Sequence, residues 1–135
     1  ASGAVDEISL VRDIIARLVR SERAERHAEA AMAPGRSAKD LYPLAVKSWQ
    51  PNFCAVNLYR DGNDYTGPHS DPLISLGPHC IIGSLSLGAA RRFKLTPALK
   101  SNQKVEGVAS SFTIVLPHNS LLIMWEGCQE GFRHE

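Results

Sequence analysis

His69-Ser70-Asp71, with His134 far downstream, is the group of residues in this chain best suited to chemistry. Two imidazoles and one carboxylate can occupy one face of a ferrous ion and leave the opposite face open for a co-substrate and oxygen. The spacing suits that task. In an extended segment residues i and i+2 point to the same side, so His69 and Asp71 reach one ion while Ser70 faces away. His134 must then be brought back by the fold. The triplet by itself is weak evidence, because His-x-Asp is frequent and a lone His is more often a surface or satisfied core residue than a ligand. Its weight depends on the residues around it.

With 135 residues the chain fits one domain, long enough to bury a single core and too short for two. It begins at Ala1 without a Met and ends one residue after His134, which reads as a piece of a longer protein. A net charge of +1 implies no general attraction to polyanions, so contact with nucleic acid has to come from a local patch. Cys54, Cys80 and Cys128 are an odd number with no Cys-x-x-Cys spacing. They read as small buried apolar residues in a reducing compartment, not as a disulfide framework or a zinc site. No apolar run approaches a membrane span and no segment has the pattern of a signal peptide. A nuclear or cytoplasmic protein is expected, with the monomer as the favoured state.

The elements that must position these residues fall into two parts. Residues 1–50 read as a helix and connecting arm packing on the core, and residues 51–135 as the domain that carries the motif. From Ser9 to about Ala33 the period is helical, with Leu10, Val11, Ile14, Ile15 and Leu18 forming one apolar stripe. Arg12, Arg20, Arg23 and Arg26 gather on the other side, interleaved with Glu22, Glu25 and Glu29, as on a solvated face. Pro34-Gly35 stops the helix, and Leu41, Tyr42, Leu44 and Trp49 anchor the arm. After Pro51 the period changes. Phe53–Tyr59, Cys80–Leu87, Arg92–Leu95, Phe112–Leu116 and Ser120–Trp125 are short runs rich in apolar and β-branched residues, separated by turn-forming clusters. A mainly β sandwich or barrel with an N-terminal helix outside it is expected. Ile82, Ser84 and Ser86 share the more polar face of their strand, a candidate pocket lining. Asp61-Gly62-Asn63-Asp64 and Pro117-His118-Asn119 are turns, with Asn119 suited to a left-handed conformation.

Several features then line up in one order: Asn57-Leu58-Tyr59-Arg60, His69-Ser70-Asp71, Ser84-Leu85-Ser86-Leu87-Gly88, Arg91-Arg92-Phe93, Ser120-Leu121-Leu122-Ile123-Met124 and His134. This succession, over roughly residues 51–135, resembles the AlkB family of Fe(II)- and 2-oxoglutarate-dependent dioxygenases, in the branch of the nucleic-acid demethylases and their fungal relatives. The N-terminal third has no comparable signature. The resemblance implies a double-stranded β-helix, or jelly roll, with its last strands missing from this chain. It implies His69, Asp71 and His134 as iron ligands and Asn57 and Tyr59 as contacts to 2-oxoglutarate. It further implies consumption of 2-oxoglutarate and O2, hydroxylation of an N-methyl group on alkylated DNA or RNA, and release of formaldehyde, succinate and CO2. A methylated base in a duplex lies too deep for such a site, so it must be single-stranded or flipped.

Arg91, Arg92 and Tyr65 are candidates for substrate contact. The two arginines, with Lys94, could meet phosphates, which position a strand, or could be the solvated edge of a strand. Tyr65 could stack on a base or cover the turn. Trp125 and Phe132 belong to the core or pocket wall, and His27, His79 and His118 are structural or surface residues. Two departures from the family pattern stand out. Pro72 occupies the place where several relatives carry a second acidic residue that approaches the base. The arginines that would hold the far carboxylate of 2-oxoglutarate belong to strands after the final His, so this piece by itself is expected to lose a bidentate charge-assisted contact and to be inactive. Two other readings remain: a hydroxylase of a protein or small molecule, and an inactive truncated module that binds nucleic acid.

Overall fold

The computed structural model describes residues 3–32, 49–98 and 111–135, which belong to two compact units, residues 1–55 and 56–135. The first unit is built on one long helix, α1 (Gly3–Met32). It starts six residues before the apolar pattern does, because the residues ahead of Ser9 include no proline to bar helical backbone. Pro34-Gly35, Leu41, Tyr42 and Leu44 lie outside the described residues, while Trp49 is half-buried.

The buried line of α1 differs from the expected one. Ala16, Val19 and Arg23 are buried, at the three- and four-residue spacing of one helix face. Leu10 and Leu18 of the expected stripe are 62% and 47% exposed, and Val11 and Ile14 are exposed as well. Periodicity reports which side chains are apolar, not which face finds a neighbour. Arg23 correspondingly leaves the solvated face on which the sequence placed it. Arg26 remains there, donating to Glu22 one turn earlier at 2.9 Å. Arg12 pairs with Asp13, which also accepts from Gln50 at 3.2 Å.

The second unit is antiparallel β structure. Its strands are β1 (Ile82–Ser86), β2 (Arg91–Pro97), β3 (Phe112–Leu116), β4 (Ser120–Met124) and β5 (Phe132–His134). Single helical turns precede β1 and β5: α2 (Leu73–Leu76) and α3 (Cys128–Gly131). β1 pairs with β4, from Ile82 opposite Met124 to Ser86 opposite Ser120. The other sheet has the order β3-β2-β5, with Arg91 opposite Leu116 and Leu95 opposite His134. Four of these strands fall on runs that the sequence marks. The fifth, Phe53–Tyr59, forms no strand. Among the described residues no strand pairs with it, and Phe53, Val56 and Leu58 are strongly exposed. An apolar run becomes a strand only when a partner takes its N–H and C=O groups. β5 and the two helical turns are too short to give a periodic signal.

On β1 the serine face is the shielded one: Ile82, Ser84 and Ser86 are half-buried, while Leu85 and Leu87 are exposed. Opposite Ile82 sits Met124, the buried hydrophobic residue of this unit among the described residues. Asn119 takes φ 59, as its turn requires, and its N–H reaches the Ser86 carbonyl at 2.8 Å. His118 Nδ1 accepts the Gly88 N–H at 2.9 Å, which ties the β3–β4 turn to the link after β1. The cysteines are free thiols; Cys54 is exposed and Cys80 and Cys128 are half-buried, so none has the full burial expected of them. No described helix is long and apolar enough to cross a membrane.

This packing predicts that Met124→Ala lowers the unfolding free energy by about 2–4 kcal/mol, whereas Leu87→Ser changes it by no more than about 0.5 kcal/mol. Urea denaturation of the two variants checks the pair of values.

Candidate metal centre

The His-x-Asp segment gains its geometry from the end of the chain. His69 N–H donates to the His134 carbonyl at 3.0 Å, and His134 N–H returns the bond to the His69 carbonyl at 2.7 Å. This antiparallel bridge extends the β2–β5 pairing, so His134 lies between Leu95 on one side and His69 on the other. Ser70 faces away from the centre, as the i, i+2 rule requires, and its hydroxyl donates to the Phe132 carbonyl at 2.7 Å. Asp71 N–H donates to Gln129 Oε1 at 2.8 Å, and the Arg133 guanidinium donates to the Pro68 carbonyl at 2.6 Å.

These ties bring the three side chains together. One donor atom from each of His69, Asp71 and His134 lies within 4.8 Å of the others. The Asp71 carboxylate is shared evenly, with Oδ1 3.7 Å from His69 Nε2 and Oδ2 3.7 Å from His134 Nε2. Ligands about 2.1 Å from an ion and at right angles to each other stand about 3 Å apart, so small side-chain movements suffice to close this set on a metal. Two imidazole nitrogens and one carboxylate suit a ferrous ion.

The two histidines are held differently. His69 Nδ1 lies 2.8 Å from the Gly67 carbonyl. Since a carbonyl only accepts, Nδ1 carries the hydrogen and the Nε2 lone pair is left toward Asp71. His134 is buried, its ring stacked on Phe93 at 5.5 Å, and its Nδ1 has no hydrogen-bond partner among the described residues. Burial pushes the His134 pKa below the ordinary histidine value, with the nearby His69 acting in the same direction and Asp71 against it. The neutral imidazole thus favoured is the form that binds a metal. Burial also raises the thiol pKa of Cys80 and Cys128, so both stay protonated and poorly nucleophilic.

The remaining candidates sit elsewhere. Tyr59 hydrogen-bonds through its hydroxyl to Thr66 Oγ1 at 2.8 Å, and the Arg91 guanidinium lies 4.4 Å from its ring centre. Arg91 also donates to the Asp61 and Asp64 carbonyls. Its two terminal nitrogens thus fasten the Asp61–Asp64 turn, which Arg60 closes from the other side with paired bonds to the Asp64 carboxylate. Arg91 stands four residues before Leu95 on β2, about 13 Å along the strand from the position opposite His134. Asn57, Tyr65 and Arg92 are exposed. Gln129 and Phe93 are contacts that sequence reasoning missed, since no spacing rule marks a lone glutamine or phenylalanine as the neighbour of a ligand. Pro72 caps the start of α2, its carbonyl accepting from Ser75 at 3.0 Å, and so turns the chain immediately after Asp71.

The antiparallel β unit gathers two imidazoles and one carboxylate from distant parts of its chain into a candidate site for a single metal ion. The sequence profile of the 2OG-Fe(II) oxygenase superfamily matches residues 6–135, and the chain belongs to that family. The match takes in all but the first three residues of α1, although that helix carries no signature motif. The family uses Fe(II), 2-oxoglutarate and O2. The chain is 36% identical to the DNA oxidative demethylase ALKBH2 of Mus musculus over 73 residues, 54% of this chain and 30% of that protein. It is 39% identical to the alpha-ketoglutarate-dependent dioxygenase alkB homolog 3 of Homo sapiens over 85 residues, 62% of this chain and 29% of that protein. The chain thus spans less than a third of the length of these relatives. No solved structure matches it.

Two outcomes follow. Arg91→Lys, which keeps the charge but loses the fork that reaches both carbonyls, lowers stability by about 1–3 kcal/mol, measured by thermal unfolding. In the metal-free protein, the lowered His134 pKa means that its contribution to stability is complete above the ordinary histidine value of 6.5. It is lost as pH falls through the folded value, because the unfolded chain then binds the extra proton. Urea midpoints therefore fall between about pH 7.5 and 5.5, and His134→Asn removes part of that slope.

Proposed function

We propose that this chain carries the iron-binding part of an Fe(II)- and 2-oxoglutarate-dependent dioxygenase that removes N-alkyl groups from bases in DNA or RNA. The observation that carries the reading is the convergence of His69, Asp71 and His134, with ligand atoms within 4.8 Å, in a member of this oxygenase family. The names of the two relatives, a DNA oxidative demethylase and an alkB homolog, support the substrate class. The two antiparallel sheets of the second unit are taken as part of a jelly roll. A nuclear or cytoplasmic location fits a nucleic-acid substrate.

When bound, ferrous iron with 2-oxoglutarate and O2 supplies the oxidation of an N-methyl carbon. The chain's residues supply the setting. His69, Asp71 and His134 would hold the ion, a donor set that suits ferrous iron. The hydrogen bond from His69 Nδ1 to Gly67 keeps that ring presenting Nε2. Phe93, stacked on His134, covers the buried ring and excludes water from it. Asn57 and Tyr59 are proposed to contact 2-oxoglutarate, with Arg91 and its carbonyl contacts fixing the turn that follows Tyr59. Hydroxylation of the methyl group leaves a hemiaminal, which breaks down to the free base and formaldehyde without further help from a metal. Arg92 and Tyr65, both exposed, are available to a phosphate and a base.

Anaerobic titration should give one ferrous ion per chain. Asp71→Ala should weaken it by more than the roughly 10–100-fold that loss of an outer-shell partner costs. On a protein that also carries the 2-oxoglutarate-binding arginines, a methylated oligonucleotide should give succinate and formaldehyde in equal amounts. Succinate without formaldehyde points to hydroxylation of a protein or small molecule, and nucleic-acid binding without ferrous binding points to a non-enzymatic module.

A further inference from the structure

Gln129 is a polar side chain that the iron chemistry does not use directly, yet it is only 4% exposed. Its Oε1 accepts the Asp71 backbone N–H at 2.8 Å, and its Nε2 lies 3.5 Å from Met124 Sδ, a weak acceptor at the end of β4. A backbone N–H requires an acceptor, which fixes the amide with its oxygen toward Asp71. We propose that Gln129 is a positioning residue for Asp71, setting the affinity and geometry of the metal centre by anchoring the peptide that carries the carboxylate ligand. The proposal rests on the reading of His69, Asp71 and His134 as metal ligands.

Three features of the chain make this bond decisive. Pro72 has no backbone N–H, so the Asp71 N–H is the last main-chain donor before the α2 turn, in which the Ser75 and Leu76 N–H groups donate to the Pro72 carbonyl. His69 and Ser70 are anchored to His134 and Phe132; Gln129 extends that anchoring to Asp71 itself. Finally, Gln129 is held in place by its own turn. Gly127 adopts φ 84, a left-handed conformation suited to glycine, Cys128 N–H donates to the Trp125 carbonyl, and Gly131 N–H donates to the Gly127 carbonyl. One short segment therefore supplies a ligand, His134, and the anchor for another ligand, Asp71. Because Oδ1 and Oδ2 lie equally far from the two histidines, a rotation of the Asp71 peptide would move the carboxylate away from one of them.

The test uses the 135-residue chain loaded with Co(II), whose visible absorption reports coordination. Gln129→Met has similar length and no strong acceptor, and it should weaken Co(II) by about 10–100-fold and alter the absorption bands. Gln129→Glu keeps an acceptor at the same reach and should bind at least as tightly as the wild type. Unchanged affinity and spectrum in Gln129→Met overturn the proposal, as does a Gln129→Glu variant as weak as the methionine one. A wild type that binds Co(II) no better than Asp71→Ala overturns the ligand reading itself, a separate result. Amide exchange on the metal-free wild type decides the matter even if the methionine variant does not fold. The Asp71 N–H should exchange as slowly as that of His69, and fast exchange at Asp71 alone would falsify the anchoring.

Discussion

Residues 69–71 and 129–134 have to lie against each other, and the geometry of the candidate metal centre depends on that contact. Ser70 and Phe132 are 62 positions apart in the chain, and closing a loop of that length costs roughly 4 kcal/mol in chain entropy before any constant term. The five hydrogen bonds across the contact return about 1 kcal/mol each in net terms. The contact therefore roughly balances its own closure. It persists because the strands on either side of it are already paired.

That dependence gives the sheets their role in the site. β2 holds β5 in register, with Leu95 opposite His134 and Lys94 exchanging backbone bonds with Glu135. The Lys94 ammonium also meets the Glu135 carboxylate, reinforcing the end of that ladder. The β1–β4 sheet contributes through Met124, whose buried side chain approaches Gln129. At the other end of β2, Arg91 fastens the Asp61–Asp64 turn and lies over Tyr59. A single strand thus relates the candidate metal ligands at one end to the segment carrying the co-substrate candidates at the other.

The parts of the fold legible in the sequence were those with a local physical cause. Phe112–Leu116 is a strand with the bounds its composition marks, and Asn119 has the positive φ that its turn chemistry favours. Pattern and structure part where a distant partner decides the outcome. Phe53–Tyr59 has the composition of a strand, but no described segment pairs with it. The apolar stripe of α1 is real as a pattern, yet Ala16, Val19 and Arg23 are the residues that find cover. Arg91 read equally well as a phosphate contact or a strand edge, and only its carbonyl acceptors show that its donors serve a turn.

The sequence by itself determined the candidate donor set and the side of the segment on which His69 and Asp71 lie. Alternation of side chains in extended backbone puts His69 and Asp71 on one side and Ser70 on the other, and the order of motifs identified the family. Tertiary structure alone decided that His134 pairs with His69 through the backbone, that Phe93 covers its ring, and that Gln129 holds the Asp71 peptide. These are contacts between residues far apart in the chain. Their strength comes from burial and register, neither of which is a property of any residue's near neighbours in sequence.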